Sequence, residues 1–162
     1  MESNSEFYEQ QKITQWWVWV ILLSADIVLG WAIWSDWREG QRELPGLLIA
    51  GGLMLMLSLM LFFIRLETKV GKDGIQVRFW PFITNWKFIS WADCESWEVR
   101  KYSPLAEYGG WGYRMGWGRQ NVALNLSGNH GLQLKMLDGR KLLVGTLKPD
   151  ELKMVLSRIQ KT

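Results

Sequence analysis

Cysteine and histidine are nearly missing from these 162 residues, where Cys94 and His130 each stand alone. One cysteine cannot build an internal disulfide framework, and one thiol with one imidazole leaves a zinc site almost without ligands. A reducing compartment fits that usage. The signatures H-E-x-x-H, G-x-S-x-G and C-x-x-C are absent, so neither hydrolytic nor metal chemistry finds support. Gly110, Gly112 and Gly116 superficially suggest a phosphate loop. They lack the strand before, the helix after and the Walker lysine that such a loop needs.

Charge is scarce over two long stretches. Trp16 to Trp34 carries only Asp26, and Leu44 to Ile64 carries none. At about 1.5 Å per residue, runs of this length span roughly 30 Å, the hydrocarbon thickness of a bilayer. A buried helix in so small a chain would keep a polar face, and the second run has none. Six of the twelve tryptophans fall at Trp16, Trp17, Trp19, Trp31, Trp34 and Trp37, at the two ends of the first run. Indole rings favour the headgroup layers, and this spacing forms an aromatic belt. A secretory signal is not expected: MESNSEFYEQQKITQ holds three Glu and one Lys, with no small-residue cleavage site after the apolar run.

The short polar link from Ser35 to Glu43 predicts an antiparallel hairpin, residues 16–34 and 44–64, with both chain ends on one side. Arg38 and Arg42 lie in the link, against Lys12, Arg65, Lys69, Lys72 and Arg78 on the other flank. That excess predicts an inner-membrane, multi-pass protein with both termini cytoplasmic. Residues 1–15 form the N-terminal segment of this reading, and 65–162 the cytoplasmic domain. The domain is basic, with fifteen Lys and Arg against nine Asp and Glu from residue 67 onward.

From Arg65 the apolar period changes to two, the mark of half-buried strands. Ile75, Val77 and Phe79 alternate with polar neighbours after the turn Lys72-Asp73-Gly74. Leu132, Leu134 and Met136 do the same before Asp138-Gly139, with a return over Lys141 to Gly145. Two hairpins are predicted. Further strands are read at Trp86–Trp91, Ser96–Tyr102 and Val122–Leu126, about seven strands in all. A closing helix starts at Pro149, with Leu152, Val155, Leu156 and Ile159 on one face.

Seven strands closed by an amphipathic helix resemble the pleckstrin-homology-like (PH-like) barrel, so the predicted fold is α+β, a membrane hairpin plus a mainly-β barrel with one C-terminal helix. EYGGWGYR from Glu107, NLSGNHG from Asn125 and LKMLDGRKLLVGTLKPDEL from Leu134 resemble bacterial two-helix membrane proteins that carry such a domain. The resemblance covers most of the chain and implies a tethered, non-enzymatic domain without a cofactor. Gln76-Val77-Arg78 departs from the basic signature by which many PH domains hold phosphoinositides, because Gln takes the first basic place.

Glycines crowd Ser103 to Gln120 among Tyr108, Trp111, Tyr113, Arg114, Trp117 and Arg119. Glycine permits close backbone approach, and Trp, Tyr and Arg dominate interface hot spots, which makes this segment the candidate recognition loop. Lys72 and Arg78 are the basic residues expected to join it at a protein partner or anionic lipid headgroups. Nucleic acid is not an expected partner. Asp26, mid-way along the first run, is an intramembrane acid and a functional suspect, with Ser58 of the second run as a candidate contact. It also supports a rival reading, an accessory subunit of a membrane complex recognised through its helices. Asp93, Glu95 and Glu98 suit an exposed strand edge or helix cap, and His130 a surface turn.

Overall fold

The computed structural model describes residues 5–40, 44–116 and 121–159 and separates the chain into two compact units, residues 14–63 and residues 1–13 with 64–162.

The smaller unit is a helical hairpin. α1 (Trp16–Glu39) has 24 residues and α2 (Leu44–Phe63) has 20, and both are long and apolar enough to cross a membrane. Side chains such as Ile27, Val28, Ile49 and Met56 are mostly exposed within the unit, which a core helix of a soluble protein would not tolerate. α1 runs past the expected end at Trp34 because Ser35, Asp36 and Arg38 are all compatible with helix. It stops at Gly40, whose left-handed φ of 62° lets its N–H cap the Asp36 carbonyl. The Arg38 guanidinium lies 4.9 Å from the centre of the Trp34 ring.

The larger unit is α+β. β1 (Ser5–Lys12), β2 (Arg65–Gly71), β3 (Gly74–Trp80) and β4 (Ile83–Ser90) form one antiparallel sheet in sequence order. β5 (Cys94–Lys101), β6 (Gly112–Met115), β7 (Asn121–Asn125), β8 (His130–Met136) and β9 (Lys141–Thr146) form the other, in the order β5-β8-β9-β7-β6. Both expected hairpins are present: Gly71 pairs with Gly74 around Lys72-Asp73, and Lys135 with Lys141 around Asp138-Gly139. β7 and β9 are parallel.

Phe7, Leu66, Ile75, Val77 and Phe79 of the first sheet share one core with Leu124, Leu132, Leu134 and Val144 of the second. α4 (Pro149–Ile159) adds Leu152, Val155 and Leu156. The two sheets do not join through a strand ladder, so they are not closed into a barrel.

The expectation for residues 1–15 requires a correction. Ser5–Lys12 is a strand of the larger unit, with Lys12 opposite Arg65 and Tyr8 opposite Lys69. Its inward positions are Phe7, Glu9 and Gln11. The Glu9 carboxylate accepts hydrogen bonds from Gln11 Nε2 at 2.9 Å, the Leu147 N–H at 2.7 Å and the Thr146 hydroxyl, and Gln11 Nε2 also donates to the Gly145 carbonyl at 2.7 Å. These partners satisfy the Glu9 carboxylate and the Gln11 Nε2 donor, while buried Gln11 Oε1 has no partner among the described residues. The hairpin is therefore an insertion between two paired strands.

Candidate interaction surface

Residues 103–116 fold as a helical turn, a glycine corner and an edge strand. α3 (Pro104–Tyr108) is capped by the Ser103 hydroxyl, which accepts from the Ala106 N–H. It ends at Gly109 (φ 70°), and Gly110 (φ 131°) and Gly112 (φ 116°) hold the chain in backbone regions that side-chain-bearing residues rarely enter. β6 follows and pairs with β7, Tyr113 opposite Leu124 and Met115 opposite Val122.

Several contacts pin this segment to the second sheet. Arg100 Nη2 donates to Glu107 Oε2 at 2.7 Å and to Gln133 Oε1 at 3.0 Å, while Arg100 Nη1 reaches Glu107 Oε1 at 3.3 Å. The fork matches the carboxylate geometry, so the pair orients α3 as well as neutralising it. Tyr108 packs edge-on against Tyr102. Asn125 accepts from the Gly112 N–H at 2.9 Å through Oδ1 and donates to the Tyr102 hydroxyl at 2.8 Å through Nδ2. Trp111 Nε1 donates to the Gly128 carbonyl at 3.2 Å, and Arg114 Nε to the Trp111 carbonyl at 3.0 Å. Leu105, Tyr113, Arg114 and Met115 remain exposed on this framework.

Electrostatics follow the same contacts. The hydrogen bond from Arg100 holds the Glu107 carboxyl below its ordinary range, helped by the Ser103 N–H. Burial pushes the Tyr102 and Tyr108 phenols up. Burial also raises the Cys94 thiol, and the Asp93 carboxylate adds to it.

The structure brings Tyr108, Trp111, Tyr113 and Arg114 together but places Lys72 and Arg78 elsewhere. Lys72 lies in the β2–β3 turn, and Arg78 is ion-paired with buried Glu67 on the outward face of the first sheet. Arg78 and Lys69 both stack on Trp86, at 4.8 and 4.4 Å from a ring centre. Trp117 and Arg119 lie outside the described residues. Asp93 closes a single 3-10 turn, Glu95 pairs with Lys135 at 2.8 Å, and Glu98 is exposed on the edge strand β5. His130, expected in a turn, opens β8.

No protein-family model, curated protein or solved structure matches this chain. Sequence reasoning missed Arg100, Gln133 and Asn125, which lie on strands outside the segment they hold and carry no signal that marks them. Among the described residues no three His, Cys, Asp or Glu side chains are grouped as metal ligands would be. In the hairpin, Ser58 Oγ donates to Asp26 Oδ2 at 3.0 Å.

Proposed function

We propose that the chain is a membrane-anchored binding module of the PH-like kind, with α1 and α2 crossing the inner membrane and both termini in the cytoplasm. The larger unit presents the surface formed by α3 and β6 to a protein partner. The observation that carries this reading is a rigidly pinned edge strand whose Tyr113, Arg114 and Met115 side chains are left exposed. Exposed edges accept a further strand, and aromatic and arginine side chains anchor interfaces. Two sheets around one core with a closing helix support the PH-like reading, in an opened form.

A photoreactive residue at Met115 of the full chain, irradiated in membranes, is expected to give a discrete protein adduct that Arg114→Glu abolishes. The absence of an adduct, or one indifferent to Arg114→Glu, contradicts this reading.

The Asp26–Ser58 bond favours a second reading, an accessory subunit recognised through its helices. There Asp26→Ala would release copurifying membrane proteins while leaving adducts at Met115 unchanged. Unchanged copurification removes that reading.

A further inference from the structure

The outward face of the first sheet combines exposed aromatic side chains with an excess of positive charge. Lys12, Arg65 and Trp80 share the outward rung at the hairpin end, Glu67 and Arg78 the next, and Tyr8, Lys69 and Phe88 lie on the third. Their neighbours along the strands, Leu66, Val77 and Phe79, are fully buried, so this face points away from the shared core. Trp86 of β4 is on the same side, since Lys69 and Arg78 both stack on it.

Over these rungs four cations, Lys12, Arg65, Lys69 and Arg78, stand against one acid, and that acid, Glu67, is buried and paired with Arg78. Exposed Glu6 lies beyond them, beside Lys72 and Arg158. A solvated charged face accounts for the lysines and arginines alone. It does not account for Tyr8, Phe82 and Phe88, which are 47, 56 and 52% exposed. Phe82 follows the Trp80 rung in the β3–β4 turn and is held there by stacking on Phe79, with ring centres 5.7 Å apart.

Connectivity fixes the level of the first rung. A single residue, Ile64, separates α2 from β2, and Ile64 is itself part of the core of the larger unit. At no more than about 3.6 Å per residue, Arg65 lies within roughly 7 Å of Phe63. A headgroup layer is roughly 5–8 Å deep, half the difference between the full bilayer and its hydrocarbon core. With α2 crossing the bilayer and ending at the hydrocarbon boundary, Arg65 and its rung partners stand at the headgroups.

We propose that the outward face of the first sheet lies against the anionic headgroup layer of the bilayer that α1 and α2 cross. Lys12, Arg65 and Lys69 meet lipid phosphates there, and Tyr8, Phe82 and Phe88 enter the interface. Aromatic rings favour that layer. Each basic residue close to an anionic surface strengthens attachment about fivefold. The inference rests on the membrane-crossing part of the proposed function, and the face shares no residue with the α3–β6 partner surface.

The test uses the full chain with Cys94→Ala in nanodiscs of phosphatidylcholine alone or of equimolar phosphatidylcholine and phosphatidylglycerol. The fluorophore NBD is attached to one engineered cysteine at a time: Gln10→Cys on the proposed face, Ser96→Cys on the outward face of β5, and Met56→Cys in α2. Lipid with a nitroxide on its headgroup quenches a label in the headgroup layer, and lipid with a nitroxide on its acyl chain quenches one in the hydrocarbon. Headgroup quenching at Gln10→Cys should be strong in the anionic nanodiscs and weak in phosphatidylcholine alone, while Ser96→Cys stays unquenched in both. Lys12→Gln/Lys69→Gln should lower the ratio of docked to undocked unit about tenfold or more, as losing two cationic contacts implies. An unchanged melting midpoint shows that this variant folds, and if it does not, the contrast between the two lipid compositions decides. Equal quenching at Gln10→Cys and Ser96→Cys in anionic nanodiscs, equal quenching at Gln10→Cys in both lipids, or a folded variant that docks as before would overturn the proposal. The Met56→Cys label separates this failure from failure of the anchor. Acyl-chain quenching there with none at Gln10→Cys removes the docking alone, and an unquenched Met56→Cys label contradicts the crossing and the docking together.

Discussion

Lys12 stands opposite Arg65 in the β1–β2 ladder, so the chain leaves for the helical hairpin and returns from it at adjoining positions of one sheet. The two strands that flank the hairpin are therefore coupled to each other through backbone pairing. β1 is part of the larger unit although the hairpin separates it from the rest of that unit in sequence.

Phe7 tests that coupling. It is 2% exposed and part of the shared core. Phe7→Ala should destabilise the larger unit by about 3–5 kcal/mol, the usual cost of removing a buried ring. Denaturant titration followed by tryptophan fluorescence reads the change. A change under about 1 kcal/mol, typical of surface substitutions, would mean that β1 is not an integral strand.

At Gly74 the prediction concerns backbone approach. A Cβ there would overlap the Ile89 carbonyl oxygen of β4, whereas one at Gly52 in α2 would meet nothing within 4 Å. Gly74→Ala should cost about 1–3 kcal/mol as an overpacked site. Gly52→Ala should cost nothing, since alanine is the better helix former. Thermal melts of the two variants separate these effects.

Much of this architecture is legible in the sequence, and the missing parts have physical causes. Two long apolar runs, the first broken only by Asp26 among charged residues, reveal α1 and α2. Period-two alternation with Asp-Gly turns reveals β2–β3 and β8–β9, and the i, i+3, i+4, i+7 pattern reveals α4. β1 is hidden because two of its three inward residues are Glu9 and Gln11, which bond each other and partners more than 130 residues away. β6 is short and begins in a glycine corner, so it shows no alternation. The β7–β9 parallel pairing is hidden because β8 intervenes in sequence and local turns announce only antiparallel neighbours. The loop's aromatic and arginine residues stand out by composition. Their supports, Arg100, Asn125 and Gln133, look like ordinary strand polar residues.

The Arg100–Glu107 fork makes α3 sensitive to acid. Because the folded Glu107 value lies below the ordinary one, its stabilisation is complete above the usual glutamate value of about 4.3. It is lost as pH falls through the folded value. Protection of the α3 amides against hydrogen exchange should therefore decline below that ordinary value, and Glu107→Gln should remove this acid step while weakening α3 at neutral pH. An identical acid profile in Glu107→Gln would assign the step to another group.

Within the hairpin, Ser58→Ala should weaken helix association by about 0.6 kcal/mol, with roughly 1.7 as the upper bound for interhelical hydrogen bonds in bilayers. Steric trapping in bicelles measures it. A loss well above that bound would show that Asp26 carries more of the hairpin than this one bond.

The most direct test of the central claim, a hairpin that crosses the membrane twice and holds the larger unit in the cytoplasm, is the sidedness of two engineered cysteines. Cys94 is buried, so it is replaced by Ala. One cysteine is placed at exposed Asn85 in β4 and the other at Gln41 in the interhelical link. An impermeant maleimide should label Gln41→Cys in intact cells and Asn85→Cys only after permeabilisation. Labelling of both positions in intact cells, or of neither before permeabilisation, would contradict the double crossing, and the reverse pattern would put the larger unit outside the cytoplasm.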